Sequence, residues 1–318
     1  FGGYRMAMIA TAAERAHASG KGLEWKGVFP ANPTPVHADG RINEEALRAI
    51  FEDNLAHGVG GFWVAGSTGE GPVMSELQRE TTARIAGETI SGKGLSIMHV
   101  GAISTESAAK GAKAVKDSGC DAICCVPPFF FKGNDQMTID HYKRVADAAD
   151  GLPFFVYNLP QLTQVETTPE FMEKIVAAVP TVIGLKHSAV NFSDIRAFAD
   201  MGLKCFSGNG ALPLPALTMG AIGTVDAPLS VAPWHYAELY GAWERGDFET
   251  AQRLQDGTKK IVDVARMFGA PAGVTKMILS DRLGIDCGHP IPPVMDLTSE
   301  QRPIVMAAAK EAGLLSNP

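Results

Sequence analysis

Val182-Ile183-Gly184-Leu185-Lys186-His187-Ser188 follows Pro180 and opens with a nearly unbroken apolar run. A half-exposed strand would alternate apolar with polar residues, so this run reads as a strand buried on both faces, the kind found in parallel sheets covered by helices. It also carries a lysine at its C-terminal end. Such a lysine ordinarily lays its alkyl stem along apolar surface and keeps its ammonium in water. The alternative is an amine desolvated enough to give up its proton and attack a ketone, forming a Schiff base. What the other strand ends bring to the same place decides between the two.

Outward from this run, similar strand patterns recur at 27–30, 61–65, 95–100, 122–126, 154–157, 203–206 and 222–225. Helical patterns alternate with them at 43–57, 75–89, 105–118, 136–149, 168–178, 192–199, 212–219 and 233–243. Asn43 suits an N-cap, with Glu44 and Glu45 in the first turn where the helix dipole favours them. Eight alternating units favour a closed (β/α)8 barrel, an α/β fold, over an open doubly wound sheet. The organisation expected is an N-terminal extension over 1–22, a barrel catalytic domain over 23–245 and a C-terminal helical region over 246–318. That last region reads as helices at 248–268, 273–283 and 298–312, broken by Pro271 and by a turn cluster at 288–293.

Composition narrows the function. With 318 residues, 46% hydrophobic and 20% charged, the chain reads as an ordinary globular protein. A net charge of -7 with scattered signs argues against nucleic acid or an anionic membrane as partner, because both select a basic face. The five cysteines, Cys120, Cys124, Cys125, Cys205 and Cys287, follow no CxxC spacing, so they read as core thiols of a reducing, cytoplasmic compartment. No apolar segment approaches the roughly 20 residues needed to span a bilayer. His99 and His187 show no metal-ligand spacing and read as packed or hydrogen-bonded histidines, so no metal is expected. Asp226 and Trp234 lie just past the eighth run and receive no role.

In a (β/α)8 barrel the chemistry gathers at the C-terminal ends of the strands. There Lys186 ends the sixth run, Tyr157-Asn158 ends the fifth, and Gly66-Ser67-Thr68-Gly69-Glu70 follows the second. Singly, each has a plain reading: the first stretch is a tight turn capped by its hydroxyls, and the tyrosine is a half-buried core residue. Together they supply an amine, a phenol able to shuttle protons, and two hydroxyls with backbone N–H groups able to hold a carboxylate. That combination suits a 2-oxo acid such as pyruvate.

Gly66-Ser67-Thr68-Gly69-Glu70, Tyr157-Asn158-Leu159-Pro160 and Gly184-Leu185-Lys186 resemble the three signatures of the dihydrodipicolinate synthase/N-acetylneuraminate lyase family of class I aldolases. His99-Val100-Gly101, Pro127-Pro128-Phe129-Phe130 and Met219-Gly220-Ala221-Ile222-Gly223 extend the likeness over most of the chain. The resemblance implies a (β/α)8 barrel with a C-terminal helical extension, a homotetramer, and no metal or organic cofactor. It further implies Lys186 as the Schiff-base lysine, Tyr157 as the proton-transfer residue, and Ser67 and Thr68 as binders of the pyruvoyl carboxylate.

Departures from the pattern point to the lyase side. Synthases of this family carry an arginine shortly after the Tyr-Asn-x-Pro signature, whereas Gln161-Leu162-Thr163 follows here, so the bidentate grip on a second carboxylate is missing. Paired tyrosines of the synthase relay are replaced by Phe129-Phe130, and phenylalanine relays no proton. Leu185-Lys186-His187-Ser188 and Gly223-Thr224 resemble the lyase pattern, with Ser188 and Thr224 in place of its substrate-facing hydroxyls. The sugar-recognising loop, Gly-aromatic-Asp-Glu in those lyases, is Gly208-Asn209-Gly210-Ala211 here. Without its two carboxylates, a polyol ligand loses about 0.5 to 1.5 kcal/mol per hydrogen bond. The expectation is a lyase cleaving a 2-oxo-3-deoxy acid, N-acetylneuraminate-like or other, to pyruvate and an aldehyde. The alternatives are condensation of pyruvate with aspartate semialdehyde, or hydratase-aldolase action on an aromatic or apolar aldehyde, to which Phe129-Phe130-Phe131 would be suited if not engaged in packing.

Overall fold

The computed structural model describes residues 24–131 and 133–315. The expected extension over 1–22 lies outside them. Eight parallel strands form one sheet: β1 (Gly27–Val28), β2 (Gly61–Val64), β3 (Leu95–His99), β4 (Ala122–Cys125), β5 (Phe154–Asn158), β6 (Val182–His187), β7 (Lys204–Ser207) and β8 (Gly223–Thr224). Each pairs with the next in sequence from β2 to β8, and β8 pairs with β1. The seam between β1 and β2 is closed by Gly60 N–H donating to Val28 O at 2.9 Å and Trp63 N–H to Pro30 O at 3.0 Å. The sheet is a (β/α)8 barrel.

Helices α1 (Glu44–Ala56), α2 (Glu76–Ile90), α3 (Thr105–Lys116) and α4 (Asp135–Ala148) follow the first four strands. After β5 come one turn, α5 (Pro160–Thr163), and α6 (Pro169–Ala178). Next are α7 (Asp194–Asp200) after β6, α8 (Pro213–Thr218) after β7, and the pair α9 (Pro228–Val231) and α10 (Pro233–Glu244) after β8. The starts follow from local chemistry. Asn43, Ser75, Ser104, Asn134 and Thr168 each accept an N–H of the first turn with a side-chain oxygen, and Ser75 with Gln78 completes a capping box.

Strand side chains alternate between two cores. Inside the barrel pack Trp63, Ile97, Cys124, Phe155, Phe206 and Val225, with Phe29 4.6 Å and Trp63 6.0 Å from the Phe206 ring. Between strands and helices lies the larger cluster, including Phe62, Ile123, Phe154 and Leu185. Tyr157 belongs to the inner set, and Lys186 pairs with it in register. Both face the barrel axis.

Beyond the barrel run α11 (Phe248–Ala265), α12 (Pro271–Leu283) and α13 (Gln301–Glu311). Pro271 does not interrupt a helix. It stands in the first turn of α12, where its missing N–H has no partner to lose and its fixed φ suits the helix. Helix α12 docks on the barrel wall through Arg282, whose guanidinium meets the Asp53 carboxylate of α1 at 2.6 Å and the Val231 carbonyl at 2.5 Å.

Candidate active site

Three strand ends converge at the C-terminal mouth. Lys186, only 4% exposed, places its Nζ 4.5 Å from the centre of the Tyr157 ring and 5.6 Å from that of Trp63. The Tyr157 hydroxyl is 3.2 Å from Ser67 Oγ. Amine, phenol and cradle hydroxyl therefore stand in one continuous cluster, from β6, β5 and the loop after β2.

The cradle loop is a wound turn whose shape its own sequence imposes. Ala65 and Glu70 both lie in the left-handed region, with φ of 52° and 61°. Glu70 N–H donates to Ser67 O at 3.2 Å and Gly71 N–H to Gly66 O at 3.1 Å. A Cβ at Gly71 would fall on the Ala65 carbonyl, so no side chain fits there. Non-glycine residues hold left-handed geometry only when their surroundings over-determine it. Here they do: Thr34 Oγ1 donates to Gly69 O at 2.8 Å, and His99 Nδ1 lies 3.1 Å from Ala65 O.

The strongest brace comes from the far end of the chain. Glu70, 1% exposed, meets Lys276 of α12 at 2.7 Å, with both side chains sealed from solvent. Glu70 Oε2 also accepts the Ile291 N–H, and Lys276 Nζ donates to His289 O at 2.8 Å. Burial drives each partner toward its neutral form, the carboxyl upward and the ammonium downward, so their contact is what offsets the desolvation. The C-terminal helices thus fix the turn that carries Ser67 and Thr68. Sequence reading singled out Glu70 only as part of its motif and missed Lys276 altogether; a lysine within the buried face of a helix was the available signal.

Both histidines near the site are structural. His99 is 2% exposed, and burial, with Arg79 nearby, lowers its pKa to about 3. It is therefore neutral, its Nδ1–H donating to Ala65 O. His187 is buried too; its Nε2 lies 3.0 Å from Asn191 O and its Nδ1 3.2 Å from Asn158 Nδ2, so Nε2–H donates and Nδ1 accepts. Asn158 in turn exchanges two 3.0 Å bonds with the Thr167 backbone. Burial likewise lowers His141, to about 4. A histidine kept neutral by the fold lets the unfolded chain take up the extra proton, so its contribution to stability is present above its ordinary pKa of 6.5 and is lost as pH falls toward the folded value. The urea midpoint is expected to fall steadily from pH 7 to pH 4. A flat profile would contradict these assignments.

The remaining sequence-derived site residues lie at or after the ends of β2, β6, β7 and β8. Ser188 N–H donates to Asn158 O at 2.9 Å, and Gly208 N–H donates to His187 O at 2.8 Å. Gly208 packs so closely against Ser188 that a Cβ would fall on its Oγ. Thr224, 4% exposed, pairs with Ser207 in register and turns its hydroxyl to the Ser207 carbonyl at 3.4 Å. Thr68 stands beside Ser67, half-buried. Among the described residues, no group of three or more His, Cys, Asp or Glu is placed to hold a metal ion, and no helix is long and apolar enough to cross a membrane.

Comparison with known proteins gives the family. N-acetylneuraminate lyase of Citrobacter koseri is 33% identical over 275 residues, spanning 85% of this chain and 92% of the relative, and the lyase of Salmonella typhimurium matches to the same extent. Among solved structures, the sialic acid aldolase of Ruminococcus gnavus superposes with a TM-score of 0.86 at 26% identity, covering 91% of this chain and 97% of that one. N-acetylneuraminate lyase of Proteus mirabilis gives a TM-score of 0.84 at 25% identity, covering 91% and 99%. The dihydrodipicolinate synthetase family pattern matches residues 24–312, and this chain belongs to that family.

Proposed function

We propose that this enzyme, a class I pyruvate aldolase by family, cleaves a 2-oxo-3-deoxy acid to pyruvate and an aldehyde through an imine on Lys186. The observation that carries the reading is the contact chain from Lys186 over the Tyr157 ring to Ser67 at the mouth of the barrel. Ser67 and Thr68, with the N–H groups of their turn, hold the substrate carboxylate. The Lys186 amine adds to the C2 ketone. Tyr157 delivers a proton to the departing oxygen, which leaves as water. The protonated imine then draws in the electrons of the C3–C4 bond as the phenolate left on Tyr157 takes the C4 hydroxyl proton, so the aldehyde leaves and an enamine remains. Protonation at C3 and hydrolysis release pyruvate and regenerate the amine.

Ser188, Gly208 and Thr224 are assigned to the aldehyde half by position. The buried thiols of Cys124, Cys125, Cys205 and Cys287, none of them in a disulfide, support a reducing, cytoplasmic setting. Phe130, 83% exposed at φ 79°, and Phe131, 70% exposed, stack edge-on at 5.1 Å as an exposed aromatic pair, which supports assembly with further copies as a homotetramer. The scheme assigns no step to a metal or organic cofactor.

The test is release of pyruvate from a panel of N-acetylneuraminate and other 2-oxo-3-deoxy acids. Turnover of one or more supports the reading; pyruvate consumption only with aspartate semialdehyde would favour the synthase alternative. Tyr157→Phe keeps the ring packed against Trp63 and removes only the hydroxyl, so the barrel should retain its thermal midpoint while turnover falls about a hundredfold or more. Unchanged turnover would remove Tyr157 from proton transfer.

A further inference from the structure

The loop over Gly208–Ala211 has few acceptors left for a ligand. Gly210 N–H donates to Asp226 Oδ2 at 2.9 Å and Gly210 O accepts from the Tyr236 hydroxyl at 2.9 Å. Ala211 O accepts from Gln255 Nε2 at 2.7 Å and Thr258 Oγ1 at 3.1 Å, both on α11. Ala211 N–H donates to Asn209 Oδ1 at 3.0 Å, which uses the acceptor of that amide. A Cβ at Gly210 would stand 3.0 Å from Asp226 Oδ2, so an acidic side chain there would meet both crowding and like charge.

Asp226 is itself occupied. Its Oδ1 accepts the Ala227 N–H at 2.8 Å, and its Oδ2 is shared between Gly210 N–H and Arg266 Nη2, the latter at 2.6 Å. Arg266 remains half exposed, and among the described residues its guanidinium has no side-chain partner other than Asp226. Asn209 Nδ2 has none. The remaining donors of Arg266 and Asn209 Nδ2 are therefore free on this side of the mouth, while the acceptors Asn209 Oδ1, Gly210 O and Ala211 O are taken.

Resting on the imine reading above, we infer that Arg266, aimed by Asp226 and supported by Asn209 Nδ2, is the specificity-determining residue for the aldehyde half, selecting one that ends in an anionic group, carboxylate or phosphate, over a neutral polyol. The distance suits it. Lys186 pairs with Phe206 and Phe206 with Gly223, so Asp226 stands two strands away and three residues further along. That is about 10 Å in each direction at the usual strand spacing and rise. The lysine and arginine arms together with a six- or seven-carbon chain span it.

Borohydride trapping of imines reads the preference without requiring turnover. The probes are 2-oxoheptanedioate and 2-oxoheptanoate, alike in carbon number and differing in the terminal carboxylate, with pyruvate as reference. The dianion is expected to reach half-maximal labelling of Lys186 at a concentration about tenfold lower than the monoanion. Arg266→Met should abolish that difference and Arg266→Lys restore part of it, with the pyruvate dependence unmoved. Equal concentrations for the two probes in the unaltered protein, or a preference that survives in Arg266→Met, would overturn the assignment. Failure of pyruvate itself to label Lys186 would instead sink the imine reading. Repeating the comparison with a terminal phosphonate separates phosphate from carboxylate preference.

Discussion

Lys186→Ala is expected to lower turnover by about 10⁴-fold or more, because the imine has no other route once its amine is gone. The loss should be chemical and not conformational. The alkyl stem of Lys186 packs inside a barrel filled by Trp63, Phe155 and Phe206, and their mutual ring contacts remain. Lys186→Arg should be equally inactive, since a guanidinium keeps the charge and cannot form the imine. Steady-state pyruvate release alongside a thermal melt separates chemistry from folding. A variant retaining more than a few per cent of turnover would require a different nucleophile.

Lys276→Met is expected to be strongly destabilising. It leaves Glu70 as an unpaired charge at a site with no access to water, a situation that costs about 3–5 kcal/mol. Glu70→Gln combined with Lys276→Met should recover most of that loss, because the amide still accepts the Ile291 N–H while no charge remains to be desolvated. Urea denaturation of the single and double variants measures both. In the double variant the cradle turn is held less firmly, so KM for the 2-oxo acid should rise more than kcat falls. A single variant as stable as the unaltered protein would show that the pair braces nothing.

The barrel is legible in the sequence because parallel strands buried on both faces are apolar throughout, and the runs are separated by helices, all but α7 with a side-chain cap or a proline at the start. The candidate site is legible for a related reason. Lys186, Tyr157 and Ser67 each end or follow a strand, and the architecture alone carries strand ends to one mouth. The single turns α5 and α9 are not legible: four residues after a proline carry no periodicity that separates a helix from a loop. Pro271 misleads because a proline reads equally as a break or as a first-turn residue, and only the residues around it decide.

What sequence reading misses most is support from a distance. Glu70 and Lys276 are joined only when α12 docks on the barrel, and nothing in the spacing of either announces the other. The same holds for Asp226 and Arg266, which meet because α11 ends beside the loop that follows β8. These pairs shape the turn that carries Ser67 and Thr68 and the rim beside Gly210, the two ends of the proposed substrate site. The absent loop carboxylates, in contrast, were visible in Gly208-Asn209-Gly210-Ala211; that Asp226 takes up the space beside Gly210 was not.

The central claim is that Lys186 forms an imine with a 2-oxo acid. Incubating the protein with saturating pyruvate and borohydride, then locating any mass increment by peptide mapping, tests it most directly. The account predicts one reduced pyruvate adduct per chain, carried by the peptide containing Lys186. No adduct, or an adduct on another lysine, would contradict it.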